Sequence, residues 1–278
     1  MQIIDGRKIK GDILERVKQE VGQLNFVPVF CDVLVGEDPV SAQYVDMKRK
    51  SAVSVGISFH NANFPVSITT EELIKEIEKL NKIENMCGII VQLPLPAHID
   101  KRQVLDAINP NLDVDFLGTI AGEIFYKGEN AGQIGFPTAL ACMTLLDSLN
   151  LDLKDKNIVV LGQGDLVGRP VTALLRFRNL APIIITSKTE NKEELIKKAD
   201  IIISGIGKGA FIKGDMIKNG AVLIDAGTSE DGGSIVGDVD SESVSSVAGY
   251  LSPVPGGVGP VTVAILLQNV LTVAKNLK

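Results

Sequence analysis

The chain has 278 residues, 45% of them hydrophobic, which is enough for one large or two modest domains, each with its own core. Its formal net charge is −6, its pI is near 5.1, and its basic residues are scattered, which argues against a nucleic-acid footprint or a polybasic membrane patch. Cys31, Cys87 and Cys142 are odd in number and far apart in largely apolar surroundings, as expected of buried, reduced thiols in a cytosolic protein rather than a disulfide framework or zinc site.

The first residues carry no basic region followed by a long apolar core, and no uninterrupted apolar run of 18 or more residues occurs, so a cytoplasmic protein with no membrane partner is expected. His60 and His98 stand apart from acids and thiols. Acid-base chemistry is therefore expected from lysine, tyrosine or a carboxylate, with no metal.

Along the chain, a β-branched run at 27–35 is followed by helical patterns at 43–55 and 70–81 and a strand at 88–91. This is the βαβ rhythm of a mostly parallel sheet. If the first of these helices starts near Ser41, Tyr44 and Lys48 stand at i and i+4 on one face, although a solvated basic helix has the same pattern. An apolar helix-like stretch at 139–149 leads to a second series: a strand at 157–161, a helix at 167–180, and strands at 182–186, 201–203 and 221–225. A terminal helix at 262–277 could return to the first unit. The expected fold is α/β and two-lobed, with a Rossmann-type parallel-sheet lobe second and a ligand cleft between the lobes.

Directly after the strand at 157–161 comes Gly162-Gln163-Gly164-Asp165-Leu166-Val167-Gly168, a G-x-G-x-x-x-G turn entering a helix. Such a turn lets the backbone approach a pyrophosphate and aims a helix N-terminus at it, so these residues are read as dinucleotide-binding against the alternative of a plain βα turn. At the end of the next strand, where an acid would hold a ribose 2′-hydroxyl, the chain has Thr186-Ser187-Lys188-Thr189. Ser187, Lys188 and Thr189 suit a 2′-phosphate and favour NADP, while nearby Glu190 keeps NAD possible. Gly205 and Gly227 join the cofactor set. The run Pro253-Val254-Pro255-Gly256-Gly257-Val258-Gly259-Pro260 reads as a stiff binding loop, with a structural turn as its alternative.

Taken together, residues 35–50, the string Val91-Gln92-Leu93-Pro94-Leu95-Pro96 after the strand at 88–91, Asp113-Val114-Asp115, the glycine turn, Gly237-Asp238-Val239-Asp240 and the loop at 253–260 resemble the bifunctional methylenetetrahydrofolate dehydrogenase/methenyltetrahydrofolate cyclohydrolase family. The matches follow family order across nearly the whole chain. The resemblance implies a cytosolic homodimer that oxidises 5,10-methylenetetrahydrofolate with a nicotinamide dinucleotide and hydrolyses the methenyl product to 10-formyltetrahydrofolate. It implies Lys48 as the catalytic lysine, Tyr44 stacked on the folate, Gln92 tuning Lys48 and Asp115 anchoring the pterin, with Leu93, Pro255, Gly256 and Gly257 bordering the substrate. It also implies a folate-binding catalytic domain at 1–121, completed by 253–278, and a cofactor domain at 122–252. Phe116 stands where the family usually has glycine, residues 117–122 are one residue short, Phe136-Pro137-Thr138-Ala139 replaces P-C-T-P, and Gln163-Gly164 replaces Arg or Ala followed by Ser. A dehydrogenase without cyclohydrolase, or a noncatalytic binding regulator, is the alternative.

Overall fold

In a computed structural model, which describes residues 1–128, 133–231 and 234–277, β1 (Gln2–Ile3) and α1 (Gly6–Val21) precede β2 (Val29–Val35), α2 (Pro39–Ser54), β3 (Ser58–Phe64), α3 (Thr70–Leu80) and β4 (Met86–Val91). Helices α4 (Lys101–Asp106), α5 (Thr119–Lys127) and α6 (Pro137–Asp147) lead to β5 (Ile158–Leu161), α7 (Gly168–Phe177), β6 (Ile183–Ile185), α8 (Lys192–Lys198), β7 (Ile201–Ser204) and β8 (Val222–Asp225). The hairpin of β9 (Ser229–Asp231) and β10 (Ser234–Val236), the single turn α9 (Ser241–Val244), β11 (Tyr250–Ser252) and α10 (Val258–Asn276) follow. Two compact units result: Gly11–Pro137 with Val263–Lys278, and Met1–Lys10 with Thr138–Thr262.

The first of these units holds a parallel sheet of order β3-β2-β4. Its central strand β2 is buried from Phe30 to Val35, as expected of a strand covered on both faces. Above it, α2 starts where the Asp38 side chain accepts the Ser41 backbone N–H at 2.7 Å and Pro39 pre-sets the first turn. Its buried stripe is Ser41, Val45, Lys48 and Ala52, a 4-3-4 spacing that turns one lysine toward the core. A capping box between Thr69 and Glu72 fixes the start of α3.

The other unit holds a six-stranded sheet of order β1-β11-β8-β7-β5-β6, with every pairing parallel. From β5 the chain moves to β6 on one side and then to β7 on the other, so the C-terminal ends of β5 and β7 flank the switch point at which such sheets bind ligands. Val159, Leu161, Ile202, Leu223 and Leu251 form its core. The edge strand β1 pairs Gln2 with Tyr250 and Ile3 with Leu251. Helix α10 is long and apolar enough, by length and composition alone, to cross a membrane, and 67% of its apolar window is buried inside the protein.

Candidate active site

Lys48 is only 7% exposed. Its Nζ donates to Gln92 Oε1 at 2.8 Å and lies 2.6 Å from Asp32 Oδ2 in the middle of β2. Gln92 is held in turn, because its backbone N–H bonds Val33 O at the end of β4 and its Nε2 donates to Leu93 O. Three elements thus converge on one amine. Tyr44, one helical turn before Lys48, is half-buried, as is Leu93. Burial pushes the Asp32 carboxyl above the usual carboxylate range, and the Lys48 charge opposes that shift.

The loop after α4 adds two more carboxylates. Asp113, buried, accepts the backbone N–H of Gly118 at 2.7 Å and of Asp115 at 3.2 Å, which folds the loop around it. Asp115, on that loop, is pushed up to about 7 by burial and by Asp113, against the pull of Lys48. Phe116 occupies the left-handed region at φ 62°, where glycine sits without steric cost. Its ring packs within 6.2 Å of Phe125 and 6.0 Å of Phe136, and this aromatic burial offsets the backbone strain. The loop therefore keeps a left-handed backbone at position 116 with a phenylalanine in place.

In the other unit, a Cβ on Gly168 would lie 2.1 Å from Gly162 O, so the turn between β5 and α7 closes only with glycine there. Gly164 is exposed and nothing lies within 4 Å of its Cβ direction, leaving that side of the turn open for a ligand. Gln163 folds inward, donating to Gly162 O and Thr172 Oγ1, while Asp165 pairs with Arg169 at 3.0 Å and Val167 is buried. At the end of β6, Ser187 and Lys188 are exposed, as is Glu190. The Thr189 hydroxyl accepts the Thr186 N–H at 2.9 Å and is spent on the local turn. Gly205 and Gly227 are glycines for packing, since a Cβ would meet Val167 at 2.7 Å and the Asp238 carboxyl at 2.1 Å. Gly257 is buried, with no room for a Cβ beside Pro253 O at 2.7 Å, whereas Gly256 takes φ 115° and Pro255 is exposed.

The chain matches the model of the tetrahydrofolate dehydrogenase/cyclohydrolase catalytic domain over residues 4–115 and that of the corresponding NAD(P)-binding domain over residues 137–278. It belongs to the tetrahydrofolate dehydrogenase/cyclohydrolase family. A bifunctional protein FolD of Nitratiruptor sp. is 42% identical over 289 aligned positions, covering 100% of this chain and 99% of that one. The fold is similar to that of the bifunctional FolD enzyme of Campylobacter jejuni, with a TM-score of 0.94, 35% identity and 100% of both chains covered. It is also similar to the Trypanosoma brucei FolD complexed with NADP and inhibitor, with a TM-score of 0.93, 35% identity and coverage of 99% of this chain and 97% of the other.

Within this family frame, the structure brings Lys48 and Gln92 into direct contact and sets Asp115 within electrostatic reach of Lys48. The sequence assigned no role to Asp32, Asp113, Asp225 or Asp238, although Asp113 and Asp238 lie in strings that carry the family resemblance. Asp32 had a signal, being an acid inside an otherwise apolar strand. Asp225 also ends a run of apolar residues; its carboxyl accepts the N–H groups of Gly227, Asp238 and Val239. Asp238 accepts Ser204 Oγ and the N–H groups of Ile206 and Lys208, tying down the loops after β7 and β8.

Proposed function

We propose that Lys48, Gln92, Tyr44 and Asp115 carry the folate chemistry of this enzyme, which oxidises 5,10-methylenetetrahydrofolate to the 5,10-methenyl form and hydrolyses that to 10-formyltetrahydrofolate. The observation that carries the assignment is the buried Lys48 amine fixed by Gln92 at 2.8 Å. The methenyl carbon is cationic and accepts water when a base takes its proton. Lys48 takes that proton as the oxygen bonds to carbon. The resulting carbinol collapses with loss of its hydroxyl proton, the bond to N5 breaks, N5 is protonated, and one proton leaves to solvent overall. Gln92 accepts from the amine and orients it. Asp115 offers its carboxylate to the pterin N–H donors, and the Tyr44 ring stacks on the folate.

NADP, when bound, supplies the hydride acceptor for the oxidation. The open side of Gly164 and the N-terminus of α7 fit the pyrophosphate, while exposed Ser187 and Lys188 fit the 2′-phosphate. The folate part is assigned to residues 1–121 with 253–278 and the cofactor part to 122–252; the order of the family-model matches, catalytic at 4–115 and NAD(P)-binding at 137–278, supports a folate part followed by a cofactor part, while the compact units place residues 1–10 and 253–262 with the cofactor sheet, 122–137 with the folate sheet and only 263–278 of the last segment with the folate part. A cytoplasmic homodimer without nucleic-acid or membrane partners accords with the family resemblance and the dispersed charge.

The test is a spectrophotometric assay with methylenetetrahydrofolate and either NADP or NAD, following methenyl absorbance as it forms and decays. A higher kcat/KM with NADP and faster methenyl decay than in the enzyme-free blank are expected. A preference for NAD would reject the role given to Ser187 and Lys188, and methenyl that accumulates without accelerated decay would leave a dehydrogenase alone.

A further inference from the structure

Asp32 has no packing reason to be an aspartate. It is fully buried at 0% exposure between apolar Cys31 and Val33. A carboxylate at such a position is stabilised only when its lone pairs are filled, yet Oδ1 has no hydrogen-bond partner. A valine would fill this strand position without that cost. What the carboxylate does touch is Lys48 Nζ, 2.6 Å from Oδ2, the same amine that donates to Gln92 Oε1 at 2.8 Å.

We propose that Asp32 is a positioning residue for the hydration step, acting through Lys48: it holds the amine toward Gln92 and, as an adjacent anion, sets the pH at which cyclohydrolase activity rises. The proposal rests on the reading of Lys48 as the base. The Asp32 carboxylate lies 2.6 Å from the amine, so removing its charge is expected to alter the pH dependence of the hydration step.

Of the other carboxylates around the pair, Asp115 is the one coupled to Asp32, and Asp113 stands behind it. Asp115 is within electrostatic reach of both Asp32 and Lys48 and is raised in part by the Asp32 charge, so replacing Asp32 also eases Asp115 toward its ionised form, a smaller effect that opposes the loss of the contact charge. Beside Asp32, the Cys31 thiol is pushed up to about 12 by burial and by Asp32 itself, and stays a thiol. On β3 the residues in register with Cys31 and Asp32 are His60 and Asn61, both exposed, and on β4 they are Ile89 and Ile90. Tyr44 lies one turn away on α2.

The test is the pH profile of cyclohydrolase kcat, blank-subtracted, for the wild type, Asp32→Asn and Asp32→Val. Loss of the carboxylate charge is expected to move the alkaline-rising limb down by roughly one to three pH units, with on the order of a tenfold gain in kcat below the wild-type limb. A limb that coincides with the wild type or moves up overturns the proposal. So does a uniform loss of kcat without displacement, which a merely structural role gives, or failure of both variants to fold. Lys48→Met measured alongside separates the two readings. Wild-type hydrolysis by that variant removes Lys48 as the base, whereas an inactive Lys48→Met with unshifted Asp32 variants removes only the role of Asp32.

Discussion

Asp32 in one unit and the Asp225–Asp238 pair in the other are buried aspartates bonded in opposite ways. Asp225 and Asp238 receive three donors each, mostly backbone N–H groups of the loops they shape. Asp32 has one ion pair and a bare second oxygen. A carboxylate whose lone pairs are filled by the main chain is committed to holding loops, and any change there is felt as stability. One left short of partners keeps its charge available to a neighbour, and a change there is felt in that neighbour's chemistry.

The largest expected effect is on the under-bonded side. Lys48→Met, which keeps chain length and removes the base, should lower cyclohydrolase turnover by on the order of 10²–10⁴-fold, with a smaller loss of dehydrogenase activity. Equal losses of both activities would show that Lys48 holds substrate rather than moving a proton, and the contrast would fail. Next comes Asp238→Ala, which strands three donors at one site. A loss of about 3 kcal/mol or more in urea unfolding is expected, since each unsatisfied buried group costs roughly 1–3 kcal/mol. A loss below about 1 kcal/mol would mean that water replaces the carboxylate and that the bonding pattern does not separate the two classes.

The smallest effect sharpens the comparison through pH. Asp115 is raised to about 7, well above its value in an unfolded chain near 3.9. Between those values the folded state holds the extra proton, so this group's contribution to stability is greatest at the acid end and is lost as pH rises toward about 7. Asp115→Asn should flatten the dependence of Tm on pH over that window. Over the same window, wild-type affinity for folate should improve with rising pH as the carboxylate forms. A Tm profile identical in the variant would place the raised group elsewhere.

Most of the parallel-sheet framework was legible because its strands are β-branched runs buried on both faces, as at Ile158–Leu161 and Ile201–Ser204. The edge strands β4 and β6 were legible as well, but β1 and β3 were not. β3, reading Ser-Phe-His-Asn-Ala-Asn-Phe, is largely exposed and lacks both alternation and a continuous apolar run, and β1 has two residues, too few for any period. In the site, Tyr44 and Lys48 were visible from their spacing, but the contact of Lys48 with Gln92 spans 44 positions and comes only from packing α2 over the sheet. Asp32 was hidden by its own strand, since an apolar run is read by its average and a single acid inside it is absorbed. The glycines were easy to see and hard to apportion: Gly164 borders open space, while Gly168, Gly227 and Gly257 are glycine because backbone or side-chain atoms leave no room.

The chain passes between its two units at Lys10–Gly11, at Pro137–Thr138 and at Thr262–Val263, the last of these inside the single helix α10. Neither unit is therefore a contiguous stretch of the gene product. On a ribosome the β2–β4 sheet emerges early but lacks its closing segment until Val263 and the residues after it are made, and the first strand waits for Tyr250–Leu251 before it has a partner. A nascent chain stalled before α10 would therefore hold the β2–β4 sheet without the helical segment that completes its unit.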